Sequence, residues 1–139
     1  LHRRLDFMAS VFTMIINGDL PGTFIWQDDR CVVFMSINPI ERGHALVVPK
    51  DEIDQWIDVP SDLREHLFEV AHKVAKAQKR AFDCTRVGMV IAGFEVPHTH
   101  IHLIPANTMS DMDFSRAATS VEIADLEAAA ASIKSALVE

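Results

Sequence analysis

Residues 98–104 read HTHIHLI, with imidazoles at 98, 100 and 102, Thr99 and Ile101 between them and apolar residues after them. Side chains on a strand alternate between its two faces, so His98, His100 and His102 are predicted to share one face while Thr99, Ile101 and Leu103 take the other. Imidazole changes charge near neutral pH and can serve as nucleophile, acid, base or metal ligand. Histidines at i and i+2 can both reach one zinc ion, with Zn–N bonds of about 2.0–2.1 Å. The outer pair stands about 13 Å apart at Cα on a strand, so one ion does not readily take all three. The row instead suits an extended, charged ligand such as a phosphate with its neighbours, with one imidazole acting as nucleophile or acid/base. The alternative is a solvated strand face, and regular alternation flanked by Ile and Leu in a chain with seven histidines argues against it.

The elements that must position this row come from a chain of 139 residues, 49% hydrophobic, which is the size of one domain with one continuous core. A net charge of −7 argues against a nucleic-acid groove or a membrane surface as the main partner, since both need clustered basic residues. No apolar run approaches the roughly 18 residues that cross a bilayer, and no signal-peptide pattern opens the sequence, so a cytoplasmic protein is expected. Cys31 and Cys84 lie far apart and form no CxxC, which predicts buried thiols rather than a disulfide framework or a cysteine zinc site. Residues 1–9 read as an N-terminal extension and residues 10–139 as a single domain.

Along the chain, Val11 to Ile16 predicts a short helix, ended by the turn residues Gly18-Asp19-Leu20-Pro21-Gly22. TFIWQ (23–27) and CVVFM (31–35) predict an antiparallel hairpin across Asp28-Asp29-Arg30, and HALVV (44–48) a further strand. From Ser61, expected as an N-cap, the apolar positions 63, 67, 70, 74, 77 and 81 keep helical spacing. RVGMVIA (86–92) and HTHIHLIP (98–105) predict two more strands. Thr119-Ser120-Val121-Glu122 has the pattern of a capping box, opening a helix with an apolar stripe of Ile123, Leu126, Ala130, Ile133 and Leu137. The sum is an α+β fold: a five-stranded, mainly antiparallel sheet with one long central helix and a C-terminal helix.

The motif HTHIHLIP resembles the signature of the histidine triad family, His-x-His-x-His followed by apolar residues, carried by nucleotide hydrolases and transferases. GDLPGTFIWQDDRCVVF (18–34), the INP turn (37–39) and GHALVVPK (43–50) resemble the N-terminal half of the same family in the same order, so the likeness covers roughly residues 10 to 105. It implies a homodimer that cleaves the α-phosphate of a purine nucleotide conjugate through a nucleotidyl-histidine intermediate, without cofactor. The implied substrate is a nucleoside phosphoramidate. A dinucleoside polyphosphate hydrolase, or a nucleotide-binding or scaffold protein of reduced activity, are the alternatives. By the same resemblance His100 falls on the nucleophile, His102 on a phosphate-contacting histidine and His98 on the member whose backbone carbonyl fixes the nucleophile's tautomer. His44 falls on a fourth histidine beside the row, and Phe12, Phe34 and Ile37 on positions that sandwich a purine.

Three departures from the family pattern carry consequences. Ser10-Val11-Phe12-Thr13 and Lys50-Asp51-Glu52 stand where many members carry a CxxC and a His that help bind a structural zinc, so no metal is expected. Glu95 occupies the place of a phosphate-bonding Ser or Thr; its carboxylate either turns away or holds an imidazole charged. Ser36 occupies the place of an Asp or Asn that grips the ribose, and a serine hydroxyl has shorter reach and no charge. Charge-assisted hydrogen bonds contribute roughly 1.5–3 kcal/mol, so the loss corresponds to about tenfold or more in selection for ribose. We therefore expect similar kcat/KM for matched ribo- and deoxyribonucleotide substrates, and a selectively lowered ribonucleotide KM in Ser36→Asp. A ribose preference of about a hundredfold in the unsubstituted protein would overturn this reading of the pocket.

Overall fold

The structure, a computed structural model, describes residues 9–137. The expected extension over residues 1–9 therefore lies, apart from Ala9, outside the described residues. Val11–Ile16 forms α1, opened by Ser10, whose hydroxyl accepts the Thr13 amide hydrogen. The hairpin of β1 (Phe24–Gln27) and β2 (Cys31–Met35) is turned by Asp28, whose Oδ1 accepts the amide hydrogens of Arg30 and Cys31 at 2.8 and 2.9 Å. There follow β3 (Ala45–Pro49), α2 (Ser61–Ala81), β4 (Arg86–Val90), β5 (Ile101–Ala106) and α3 (Ile123–Ala136). The five strands form one sheet in the order β1-β2-β3-β5-β4, and every neighbouring pair is antiparallel. This is the α+β architecture expected from the strand and helix patterns.

The pleat divides the sheet into two chemically different faces. Cys31, Val33, Met35, Ala45, Val47, Ile101 and Leu103 point toward α2 and α3 and meet Leu63, Leu67, Val70, Val74, Leu126 and Ile133. The intervening residues Val32, Phe34, Leu46 and Val48 point the other way and pack with Phe12 of α1. Strands β2 and β3 are thus buried at every position, which is why they read as unbroken apolar runs. Full burial of each such side chain contributes about 1.5–3 kcal/mol.

Five local expectations are corrected. Ser61 is not the N-cap: the cap is Pro60, and Ser61 is the first helical residue, without a side-chain cap bond. The Thr119–Glu122 box does not form, because the carbonyls of Ala118 and Thr119 accept hydrogen bonds from Asn38 Nδ2 at 3.0 and 3.2 Å, which tie this segment to the loop before β3. Helix α3 starts only at Ile123, whose side chain is exposed rather than part of the buried stripe, and the capping box occurs instead between Thr108 and Asp111. Strand β5 begins at Ile101, not at 98: the Thr99 amide and hydroxyl both donate to the Ile53 carbonyl at 2.7 Å, drawing residues 98–100 onto the loop after β3. Strand β4 likewise ends at Val90, short of residue 92.

Gly43 sits where the chain turns into β3. Its φ is +91°, and a Cβ there would run into the Phe82 ring. Gly18 also has positive φ, +86°, but open space around it. Gly43→Ala is therefore expected to destabilise by clearly more than Gly18→Ala, which carries only a backbone cost of about 1–3 kcal/mol. Urea unfolding of both variants checks the order; equal losses would show that the Phe82 contact is readily relieved.

Candidate active site

The sheet face opposite the two long helices carries the imidazoles. His102 lies on β5 with its backbone opposite Leu46, and His44 immediately precedes β3. His98 and His100 precede β5, yet the rings of His100 and His102 stand with centroids 4.8 Å apart. Phe12 sets an edge against both His98 and His100, at 5.9 and 4.8 Å between centroids. The alternation read from sequence thus holds for His100 and His102. His98 is fully buried, with its ring bonded to Ser10 and Pro49.

Hydrogen bonds to the main chain determine the proton on each ring. His98 Nε2 lies 2.8 Å from the Pro49 carbonyl, which can only accept, so Nε2 carries hydrogen and Nδ1 accepts from the Ser10 hydroxyl at 2.7 Å. His100 Nδ1 lies 2.6 Å from the His98 carbonyl and must donate to it, which leaves the lone pair on Nε2. The Ile40 amide donates to His44 Nδ1 at 3.1 Å, so His44 holds its hydrogen on Nε2 and donates to His102 Nδ1 at 2.9 Å. His102 then keeps its hydrogen on Nε2. The row presents a bare nitrogen on His100 and an N–H on the neighbouring His102.

Burial keeps these rings neutral. It pushes His44 down to about 4, with the charge of His100 adding to the effect, and His102 down to about 3, with His100 and His44 adding. His98 is lowered by burial against the opposing pull of the Pro49 carbonyl and Glu52. His100 is lowered by burial too, while the His98 carbonyl and the Glu95 carboxylate work to raise it. Glu95 itself is exposed.

Of the residues read as flanking a purine, Phe12 and Phe34 are buried in the apolar cluster of this face, whereas Ile37 is 66% exposed. Ser36 is buried, and its hydroxyl accepts the Asn38 amide hydrogen at 3.2 Å. Three contributors went unrecognised in the sequence. Glu52 Oε1 accepts from the Ser10 amide and the Thr13 hydroxyl at 2.9 and 2.6 Å, tying α1 to the base of His98. Phe114 places its edge against His102 and His44, at 4.8 and 6.4 Å between centroids, from an irregular segment that no periodicity marks. Gln78, completely buried on α2, bonds the backbone beside both His44 and His102.

Among the described residues, Asp28, Cys31 and His66 have metal-ligand atoms within 4.8 Å of one another. Asp28 is already filled by hydrogen bonds from Trp26 Nε1 and His66 Nε2, both 2.8 Å, and from the Arg30 and Cys31 amides. Burial works to raise its pKa, and these bonds outweigh that and hold it well below the usual carboxylate range. The Cys31 thiol is pushed up to about 12 by burial and then by Asp28. This set is a hydrogen-bonded hub under the first hairpin.

A five-stranded antiparallel sheet bearing a row of backbone-anchored imidazoles defines the histidine triad class of proteins. The sequence matches the HIT domain over residues 17–109, and the chain belongs to that family. It is 34% identical over 113 residues to an uncharacterized HIT-like protein of Borreliella burgdorferi, covering 76% of this chain and 81% of that one. It is 32% identical over 98 residues to the adenosine 5'-monophosphoramidase HNT1 of Saccharomyces cerevisiae, covering 70% of this chain and 62% of that protein. The crystal structure of a Hit-like protein involved in cell-cycle regulation from Bartonella henselae superposes with a TM-score of 0.82 at 26% identity, over 91% of this chain and 95% of that one.

The depressed imidazole pKa values set a direction for acid stability. An unfolded histidine takes up a proton below about 6.5, whereas folded His44 resists until about 4, so stability is present above pH 6.5 and is lost as the pH falls through that window. For His44, 2% exposed, the slope amounts to about 1.4 kcal/mol per pH unit. The unfolding free energy from urea titrations is expected to hold between pH 7.5 and 6.5 and to fall below that by at least this slope, since His98, His100 and His102 are lowered in the same sense. In His44→Gln the fall is shallower; an unchanged slope would show that folded His44 takes up its proton over the same range as the unfolded residue.

Proposed function

We propose that this protein hydrolyses a purine nucleotide conjugate of the nucleoside phosphoramidate type at its α-phosphate, through a covalent nucleotidyl-His100 intermediate. The observation that carries this reading is the tautomer pattern: a lone pair on His100 Nε2 beside a hydrogen on His102 Nε2. In the first step the Nε2 lone pair forms a bond to phosphorus, and the phosphorus–nitrogen bond breaks with its electron pair going to the leaving amine, which takes a proton from solvent. Water then adds to phosphorus, the Nε2–phosphorus bond returns its electrons to the ring, and the nucleoside monophosphate departs with loss of a proton. The ring is positively charged while it carries the nucleotide. The His98 carbonyl, already bonded to Nδ1–H at 2.6 Å, stabilises that charge without reorganising, and the field of exposed Glu95 acts in the same sense.

His102, held neutral, serves as a hydrogen-bond donor to the phosphate rather than as a charged clamp, and His44, whose one ring hydrogen goes to His102 Nδ1, orients that donor. Exposed Ile37 offers apolar surface to the base, and Ser36, with its hydroxyl engaged by Asn38, is a weak partner for a ribose. Similarity to the yeast adenosine 5'-monophosphoramidase favours the phosphoramidate over a dinucleoside polyphosphate. Two features favour a homodimer. Strand β4 ends the sheet order, and beside it a groove of about 500 Å³ is lined by apolar Trp56, Phe68, Met89 and Ile91. No described helix is long and apolar enough to cross a membrane, and a cytoplasmic site of action completes the reading.

His100→Ala is expected to reduce release of AMP from adenosine 5'-phosphoramidate by at least about a thousandfold while leaving the circular dichroism spectrum and thermal midpoint close to those of the parent. Mass spectrometry of protein denatured rapidly without acid is expected to find the adduct on His100. Turnover of the variant at a tenth of the parent rate, or an adduct on another residue, would overturn the assignment.

A further inference from the structure

Gln78 is the one buried side chain among the described residues with an unpartnered polar atom: its Oε1 has no hydrogen-bond partner, and the residue is completely buried on the sheet-facing side of α2. Its Nε2 donates at 2.8 Å to the carbonyl of Gly43 and at 3.1 Å to that of Leu103. The β3–β5 ladder pairs Val47 with Ile101, Leu46 with His102 and Ala45 with Leu103, and there it stops. Gln78 therefore bridges the two strands at the end of their ladder. Gly43 directly precedes His44, and Leu103 directly follows His102. These two imidazoles meet across the opposite face of the sheet, Nε2 to Nδ1, at 2.9 Å.

A buried amide with one half unsatisfied is disfavoured in an apolar layer unless the other half is needed. The neighbours of Gln78 along the helix face, Val70, Ala71, Val74 and Ala77, are all small and apolar, and a methionine of similar length would fill the same space. What methionine cannot do is hold two carbonyls of different strands at one point. We propose that Gln78 is a positioning residue that acts through the backbone of Gly43 and Leu103 to hold His44 and His102 in the pairing that sets the tautomer of His102. The bond from His44 depends on the separation of the strands at this point, and a change of a few tenths of an ångström there weakens it. With that bond loosened, His102 is free to carry its hydrogen on either nitrogen. Its donor toward the substrate would be present in only part of the molecules.

The test reads tautomers directly, in the absence of any substrate. Long-range ¹H–¹⁵N spectra of the full chain at pH 7.5 distinguish protonated from bare ring nitrogens. In the parent, His102 is expected to show Nδ1 as a bare acceptor and Nε2 as protonated. In Gln78→Met the two nitrogens of His102 are expected to move toward averaged shifts, while His98 and His100, anchored to other carbonyls, keep theirs. Unchanged His102 shifts in a folded Gln78→Met protein overturn the proposal and leave Gln78 as an ordinary buried amide. Should that variant not fold, Gln78→Glu, which lacks the amide's paired donors, carries the same comparison. A kinetic arm rests on the phosphoramidase reading: kcat for adenosine 5'-phosphoramidate is expected to fall by about two- to threefold, in proportion to the share of His102 in the other tautomer, with KM nearly unchanged. If the parent has no such activity, that reading fails, and the spectra still decide the role of Gln78.

Discussion

Every imidazole of the row owes its proton arrangement to an atom of the main chain, directly or at one remove. The Pro49 and His98 carbonyls accept from His98 and His100, the Ile40 amide donates to His44, and His44 passes its orientation to His102. Main-chain groups have no alternative tautomer, so the direction of each bond is imposed by chemistry that cannot invert. The rest of the molecule can be understood as the means of keeping those few carbonyls and amides in place. Pro49 closes β3, His98 is held by Ser10 at the start of α1, and the Ile40 amide belongs to the loop that Asn38 fastens to the segment before α3.

Such a row is costly in a dry setting unless it is well bonded, because buried polar atoms lose their water. The two-sided burial of β2 and β3 supplies the dry setting. One face of these strands seals against α2 and α3, and the other packs Val32, Phe34, Leu46 and Val48 under Phe12. Low polarity then disfavours charge on the rings, and the depressed values of His44 and His102 follow mainly from burial. Glu95 stands apart from this scheme, since its carboxylate works to raise His100 from an exposed position. A neutral donor beside one bare nitrogen, whose cationic form burial disfavours while a carbonyl and a carboxylate ease it, is an arrangement suited to a nucleophile that must carry a group briefly and release it.

The N-terminal segment joins the site by hydrogen bonds as well as by the packing of Phe12. Ser10 caps α1 and bonds His98 with the same hydroxyl, Thr13 reaches Glu52, and Glu52 returns to the Ser10 amide. Burial acts to raise the Glu52 pKa, and the hydrogen bonds and the nearby His98 outweigh it. These bonds hold Phe12 against His100. On the other flank, Arg116 bonds Asp111 at 3.3 Å and Glu41 at 3.6 Å, fastening the segment that places Phe114 against His102. Both ends of the imidazole row are thus closed by aromatic edges that polar contacts hold in position.

The amino-acid sequence by itself determined the strands, the long helix and the identity of the imidazoles. Apolar runs such as CVVFM and the helical spacing from Leu63 to Ala77 are consequences of burial that leave a local trace, and the spacing of His100 and His102 follows from the pleat. Tertiary structure alone decided where helix α3 starts, because Asn38 competes for carbonyls some eighty residues away in sequence. It also decided that residues 98–100 leave the strand, since that depends on the Ile53 carbonyl drawing Thr99 aside. Phe114 left no periodic sign at all, and Gln78 sits on the apolar spacing of α2 as a polar residue whose two carbonyl partners that spacing does not reveal. A local sequence can state which groups a segment carries and which way they alternate. It cannot state which distant carbonyl or amide will be within hydrogen-bonding reach, and here those partners fix the proton on each ring.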